Sequence, residues 1–320
     1  MTESFAPPIQ DEIVAAANPR DGWEQMVEAT TEEAGYFHRL GAAHWAYFQD
    51  EGTTLLVSFE PLAAILARPD RLPLASALAK AHGWSVLTLI ADGDTWFRDP
   101  AVYSYFDRQV DDAFFEDFDH VLFYGAGMGG YAACAYSVVA PGAEVLALNP
   151  RATLDPAQAG WDGRNRCARR LDFSSRYGYA PDMLEGANHA TVIHDPTISA
   201  EAMQAALFRA PYITRLSAPH MGDALEAPFS NMDILPALVQ AAMVGKLTPA
   251  SFAQLWRARR SFGPYLRNLL AKAEAKGRRA HEMMICRSVT NRLRAPRFTK
   301  RLAQLMTADD ATSVSPASES

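Results

Sequence analysis

His120-Val-Leu-Phe-Tyr-Gly-Ala-Gly-Met-Gly-Gly-Tyr-Ala-Ala133 decides how this chain of 320 residues is read. Residues 121–124 form an unbroken apolar run, the pattern of a strand covered on both faces. Gly125, Gly127, Gly129 and Gly130 then relieve the crowding where a strand turns directly into a helix. Residues 131–139 are small and apolar, suited to a helix lying close on a sheet. The spacing is that of an elbow, small-x-nucleophile-x-small-Gly, which lifts a nucleophile above the end of a sheet. Here the nucleophile position falls on Gly127, which has no side chain.

Working outward, residues 21–40 read as a helix with Trp23, Met26, Val27 and Ala34 on its apolar side. Residues 43–48 and 53–59 read as two strands joined by the hairpin signal Gln49-Asp-Glu-Gly52. Residues 84–91 are a further buried strand, and residues 101–118 carry apolar positions at helical spacing. Strands follow at 144–149, 190–194 and 212–217, with a helix at 199–208 between the last two. Residues 150–188, rich in Arg, Asp, Gly and aromatics, show no sheet pattern and read as an insertion or lid. Beyond residue 232 only helical patterns occur: 232–244, 249–276 broken at Gly263-Pro264, and 281–305. Strands alternating with helices imply an α/β fold, a mostly parallel doubly wound sheet whose ligands bind beyond the carboxyl ends of its strands. The expected organisation is a flexible tail at 1–20, an α/β domain at 21–245, a basic helical extension at 246–306 and a disordered tail at 307–320.

The composition suits a globular chain with a sizeable core, 49% of it hydrophobic. Cys134, Cys167 and Cys286 lie far apart without metal-ligand spacing, which favours neither a disulfide framework nor structural zinc and suggests a reducing, cytoplasmic setting. The first residues lack a basic and an apolar region, so no signal peptide is expected, nor is a transmembrane segment. The net charge of −7 is uneven. Residues 246–301 hold 15 Lys/Arg against Glu274 and Glu282, a balance of +13 that leaves −20 on the remainder. Such helices could meet nucleic acid or an anionic membrane. The chain's own acidic domain is the simpler partner, which argues against nucleic acid.

At the elbow the residues carry a resemblance. Tyr-Gly-Ala-Gly-Met-Gly-Gly-Tyr131 resembles the esterase-type elbow Tyr-Gly-x-Ser-Met-Gly-Gly-Tyr of the α/β-hydrolase superfamily at every position except the nucleophile. The likeness spans roughly residues 43–245 and implies an α/β-hydrolase type of sheet. It also implies roles in the chain order nucleophile, Asp, His: Gly127 at the nucleophile position, Asp195 as the acid and His220 as the base. The N–H of Met128 and one from the loop after Phe59, at Glu60, would hold an oxyanion. The whole chain is also similar to proteobacterial hydrolase-like proteins often labelled phosphoadenosine phosphosulfate reductase. That chemistry uses a cysteine in a Glu-Cys-Gly context, and the three here stand in Ala-Cys-Ala, Arg-Cys-Ala and Ile-Cys-Arg.

With glycine at 127 no acyl-enzyme can form there. The first expectation is therefore a pseudoenzyme, a binding or regulatory module for a small ligand, with an anion as the candidate, and without a cofactor or metal. The alternative is an ester or thioester hydrolase or acyltransferase using His220 and Asp195 with water, or with Ser58 or Ser217 as an unusual nucleophile. Candidate ligand contacts are Arg151, with Arg164, Arg166, Arg169 and Arg170 beside it, and Asp92, Asp94 and Trp96 in the loop after the 84–91 strand. Each has a plainer reading. Gly127 can simply serve a positive-φ turn, Asp195 can cap the turn before Pro196, His220 can face solvent, and Asp92-Gly-Asp94 can be an ordinary turn.

Overall fold

The computed structural model describes residues 19–31 and 34–313. Eight strands form one sheet in the order β1-β2-β4-β3-β5-β6-β7-β8: β1 Gly35–Leu40, β2 His44–Gln49, β3 Thr54–Pro61, β4 Ser85–Ala91, β5 His120–Ala126, β6 Glu144–Leu148, β7 His189–His194 and β8 Ile213–Ser217. β2 is antiparallel to both β1 and β4, and β3 through β8 run parallel with β4. This is the doubly wound α/β sheet that the alternating pattern predicts.

Alternation along the strands explains the two cores. Leu55, Val57, Phe59, Phe123, Val145, Ala147 and Val192 pack on one face, against the helix Met128–Tyr136. Leu56, Leu122, Tyr124, Leu146, Leu148 and Ile193 pack on the other, against the helix Leu235–Met243. Both faces are buried because successive side chains of a strand point to opposite sides.

Three expectations are corrected. The first helix ends at Thr31, and Gly35–Leu40 is a strand. Gly35 lies so close to β2 that a Cβ there would sit 2.0 Å from the Phe48 carbonyl oxygen. The hairpin therefore joins β1 to β2 through Gly41 at φ +62, not β2 to β3, and β3 lies between β4 and β5. Finally, the 281–305 helix is two, Arg279–Thr290 and Pro296–Ser313, and the second carries helix into the tail expected to be disordered. Residues 1–18 and 314–320 of the two expected tails lie outside the described residues.

The extension docks through apolar contact. Phe252 and Trp256 join the core that holds Phe229 and Leu235, while Leu266, Leu270, Cys286, Val289 and Phe298 form a small core of their own. No helix among the described residues is long and apolar enough to cross a membrane.

Candidate functional site

β5 ends at Ala126, and the next helix begins at Met128, so a single residue makes the whole turn. Gly127 has φ 56° and ψ −114°. Its N–H donates to the Leu148 carbonyl at 2.8 Å and its carbonyl accepts from Tyr131 N–H at 3.1 Å, which fixes the turn between β6 and the helix. The flanking glycines are steric necessities. A Cβ on Gly125 would lie 2.2 Å from the Gly129 oxygen, and one on Gly129 would lie 2.1 Å from the Phe59 oxygen. Around a Cβ on Gly127, by contrast, there is no atom within 4 Å. The turn thus leaves open space above Gly127 where its two flanking glycines have none.

The loop after β4 closes over this helix. Trp96 N–H donates to Met128 Sδ at 3.1 Å, and the buried Tyr136 hydroxyl donates to the Phe97 carbonyl at 2.5 Å. Trp96 and Phe97 are held at φ 53° and 55°, a conformation that costs a non-glycine residue about 1–2 kcal/mol. Trp96, expected to touch a ligand, is instead 2% exposed and packs edge-on against Tyr131 and Phe173. Asp92 pairs with Arg20 at 2.9 Å, and Asp94 is exposed.

The second oxyanion donor was expected from a loop after Phe59. No loop is there, because β3 stays paired with β4 through Pro61 and passes directly into the helix Leu62–Leu66. The Glu60 side chain caps the helix Leu74–Lys80, accepting from Leu74 N–H at 2.9 Å and Ala75 N–H at 3.0 Å. Burial, and then the nearby Glu226 carboxylate, push its pKa up to about 7 despite these bonds and Arg68. Met128 is the first residue of the elbow helix, where N–H groups lack intrahelical partners.

Asp195 lies at the carboxyl end of β7 and is fully buried. Burial would raise its pKa, but the N–H groups of Gly222 and His220 and the N–H and hydroxyl of Thr197 outweigh this and hold it below the ordinary carboxylate value. One carboxylate oxygen accepts from Gly222 at 2.9 Å, the other from Thr197 at 2.8 and 2.7 Å. Asp195 therefore grips the backbone of the His220 loop. His220 itself has φ 66°, a partly exposed ring and a buried Nδ1 without a hydrogen-bond partner. Its pKa is lowered by burial and by Lys272 and Lys276, against the opposing pull of Asp195. The chain then returns across the sheet: Leu225 N–H donates to Asn149 Oδ1 after β6, and Glu226 accepts from the Tyr124 hydroxyl on β5. Asp195 and His220 are brought together at the carboxyl end of the sheet, with the carboxylate turned to the loop rather than to the imidazole.

Arg151 and Arg164 of the arginine cluster prove to be paired internally, while Arg166 and Arg170 are exposed. Arg151 donates to Glu201 at 2.8 Å and to the Asn149 carbonyl at 3.0 Å, and it is 7% exposed. Arg164 binds both Asp162 and Glu201, while Gln204 ties Asp162 to the Thr153 carbonyl. The two cations are balanced by Asp162 of the insertion and Glu201 of the helix Ser199–Ala205. Ser58 is also removed as a nucleophile, since it is fully buried in the sheet and bonded to Thr88 Oγ1 at 2.8 Å. Ser217 ends β8 and is exposed.

No motif in the sequence points to His44, the buried first residue of β2. Its Nε2 lies 2.8 Å from Thr95 Oγ1 and its Nδ1 3.7 Å from Asp99, the residue that caps the helix Pro100–Asp111. A cavity of about 900 Å³ opens at the opposite end of the sheet, beside His120, Glu144 and Asn188.

No family model matches the chain, and no curated protein matches it. Among solved structures, it is similar to acetyl xylan esterase 1 of a Thermoanaerobacterium species, with TM-score 0.44, 11% identity, and coverage of 71% of this chain and 93% of that one. The esterase domain of a Rhodothermus marinus protein has TM-score 0.40 and 18% identity, covering 71% and 97%. A capsule O-acetyltransferase of Neisseria meningitidis serogroup A has TM-score 0.40 and 11% identity, covering 63% and 94%. Likeness this distant bears no weight for function. The α/β architecture rests on the strand order and the elbow themselves.

Proposed function

We propose that this chain is an α/β-hydrolase-type module that has the elbow of a serine esterase without its nucleophile and binds a small anionic ligand at the carboxyl end of the sheet. One observation carries the reading: Gly127 holds the elbow conformation, φ 56° and ψ −114°, with open space where a side chain would begin. Removing the nucleophile from a working triad lowers turnover by about 10⁶, so a glycine there leaves little covalent catalysis.

A second reading is water-mediated ester hydrolysis. What favours it is a histidine whose pKa is lowered by burial and by Lys272 and Lys276, on a loop whose backbone the buried Asp195 holds, since a neutral imidazole is the form that acts as a general base.

Turnover of short p-nitrophenyl esters and acyl thioesters tests both. The native chain is expected to be silent, Gly127→Ser to gain activity, and Gly127→Ser/His220→Ala to lose it again. Activity of the native chain that His220→Ala abolishes would put the water-mediated reading in its place. Silence of all three would remove Asp195 and His220 from any triad.

A further inference from the structure

The anionic character of the ligand was first suggested by Arg151 and its neighbours, yet Arg151 and Arg164 are neutralised by Asp162 and Glu201, and Arg169 is turned to backbone carbonyls of its own insertion. Recognition of an anion needs cations without partners, and the extension supplies them at His220. Asn268, on the helix Gly263–Ala275, donates from Nδ2 to the His220 carbonyl at 2.9 Å. Residues four apart on a helix lie on one face, so Lys272 and Lys276 continue the stripe that begins at Asn268. At 1.5 Å per residue they stand about 6 and 12 Å further along the axis, so Lys272 is within a lysine's reach of the His220 loop and Lys276 follows at the end of the helix.

The extension itself does not balance these two charges. Both acidic residues of the extension, Glu274 and Glu282, pair with Arg301. Among the described residues neither lysine makes a hydrogen bond or ion pair. Asp195 faces His220 from the β7 side, but its oxygens are occupied by Gly222 and Thr197. The groups acting on the imidazole are thus Asp195 from the sheet and Lys272 and Lys276 from the helix, with burial adding to the lysines' effect.

We propose that Lys272 and Lys276, projecting from the extension beside His220, form the anion-recognition element of the candidate site and accept the dianionic phosphate group of a phosphate monoester. Two lysines supply two point charges and up to six donors, the complement of a phosphate dianion. The extension then has a role in ligand choice: the sheet presents the elbow and His220, and the helix presents the charge. This inference rests on the small-anion reading above and gives it a ligand class.

The test is the titration of His220 in the full chain, followed by NMR of its ring nitrogens, with His220→Gln identifying the signals and inorganic phosphate as the probe. In the native chain, saturating phosphate is expected to raise the His220 midpoint by about half a pH unit, the size expected of charges several ångströms away in a watery setting. In Lys272→Gln/Lys276→Gln the midpoint should start higher and no longer respond to phosphate. A phosphate response that the double variant keeps would overturn the proposal. So would no response in the native chain, or one that chloride reproduces at equal ionic strength. The outcome is separable from the elbow experiment. A phosphate response beside a silent Gly127→Ser keeps this site and loses the triad, and the reverse pair of results does the opposite.

Discussion

A single carboxylate shows how far one residue's chemistry depends on what surrounds it. Glu60 was expected to matter through its backbone, at an oxyanion hole, yet its side chain is the informative part. It is 4% exposed, caps a helix, and has a pKa raised from 4.5 to about 7 by burial and by Glu226. A raised folded-state value means that the folded chain holds this proton more tightly than the unfolded chain does. Its contribution to stability is therefore fully present below about pH 4.5 and is lost as pH rises through 7. Over that window the loss amounts to about 3 kcal/mol at most. Glu60→Gln cannot ionise, so its unfolding free energy should fall less steeply between those pH values than the native chain's. The variant is not expected to be more stable everywhere, since an amide offers one acceptor oxygen to two helix N–H groups. Urea unfolding of both chains at pH 5 and pH 8 decides the matter, and parallel pH profiles would show that Glu60 ionises normally in the fold.

At the scale of elements, the elbow was legible because close approach leaves a mark in sequence. Only glycine lets the start of the helix touch β3, so Gly125 and Gly129 appear at fixed spacing from the turn. Both buried faces of the sheet were legible for a similar reason, as apolar runs bounded by turn residues. Less could be read where the outcome depends on partners distant in the chain. Gly35–Leu40 became a strand because β2 offers an edge to pair with, which a single-segment pattern cannot reveal. Arg151 and Arg164 looked like part of a ligand surface because Glu201, the carboxylate that pairs with both, comes some 40 residues later. His44 and Thr95 meet only because β2 begins where β4 ends. Two of the elbow glycines make a direct test of the steric account. Gly127→Ala places a methyl in open space and bears only the strain of a backbone at φ 56° and ψ −114°, costing about 1–3 kcal/mol. Gly129→Ala drives a methyl against the Phe59 carbonyl, and the helix must lift off β3, so a loss above about 4 kcal/mol is expected. Equal losses in chemical denaturation would mean that the helix does not need its close contact with the strand.

For the whole molecule, the question is what joins a strongly basic extension to an acidic domain. The charge balance of +13 against −20 suggested electrostatic docking. Among the described residues, however, Arg301 pairs with Glu274 and Glu282 inside the extension, and the contact with the domain is mainly apolar, with the Asn268–His220 hydrogen bond beside it. Trp256 is 6% exposed, stacks on Phe252 and meets Phe229 and Tyr265 edge-on. Its hydrogen-bonded neighbour Arg259 covers one side of the ring. Deleting a buried tryptophan of this kind typically costs about 3–5 kcal/mol, and here the cost falls on the joint that holds Asn268 against the His220 loop. Trp256→Ala should therefore lower the unfolding midpoint and also loosen His220, which cutting a surface charge would not do. Salt discriminates between the two forces, because exposed charges are screened within about 3 Å at 1 M salt whereas apolar contacts are not. Raising sodium chloride to that level should leave the extension protected from limited proteolysis in the native chain, and Trp256→Ala should expose it even at low salt. Cleavage of the native extension that grows steadily with salt would mean instead that the opposite charges of the two parts hold them together.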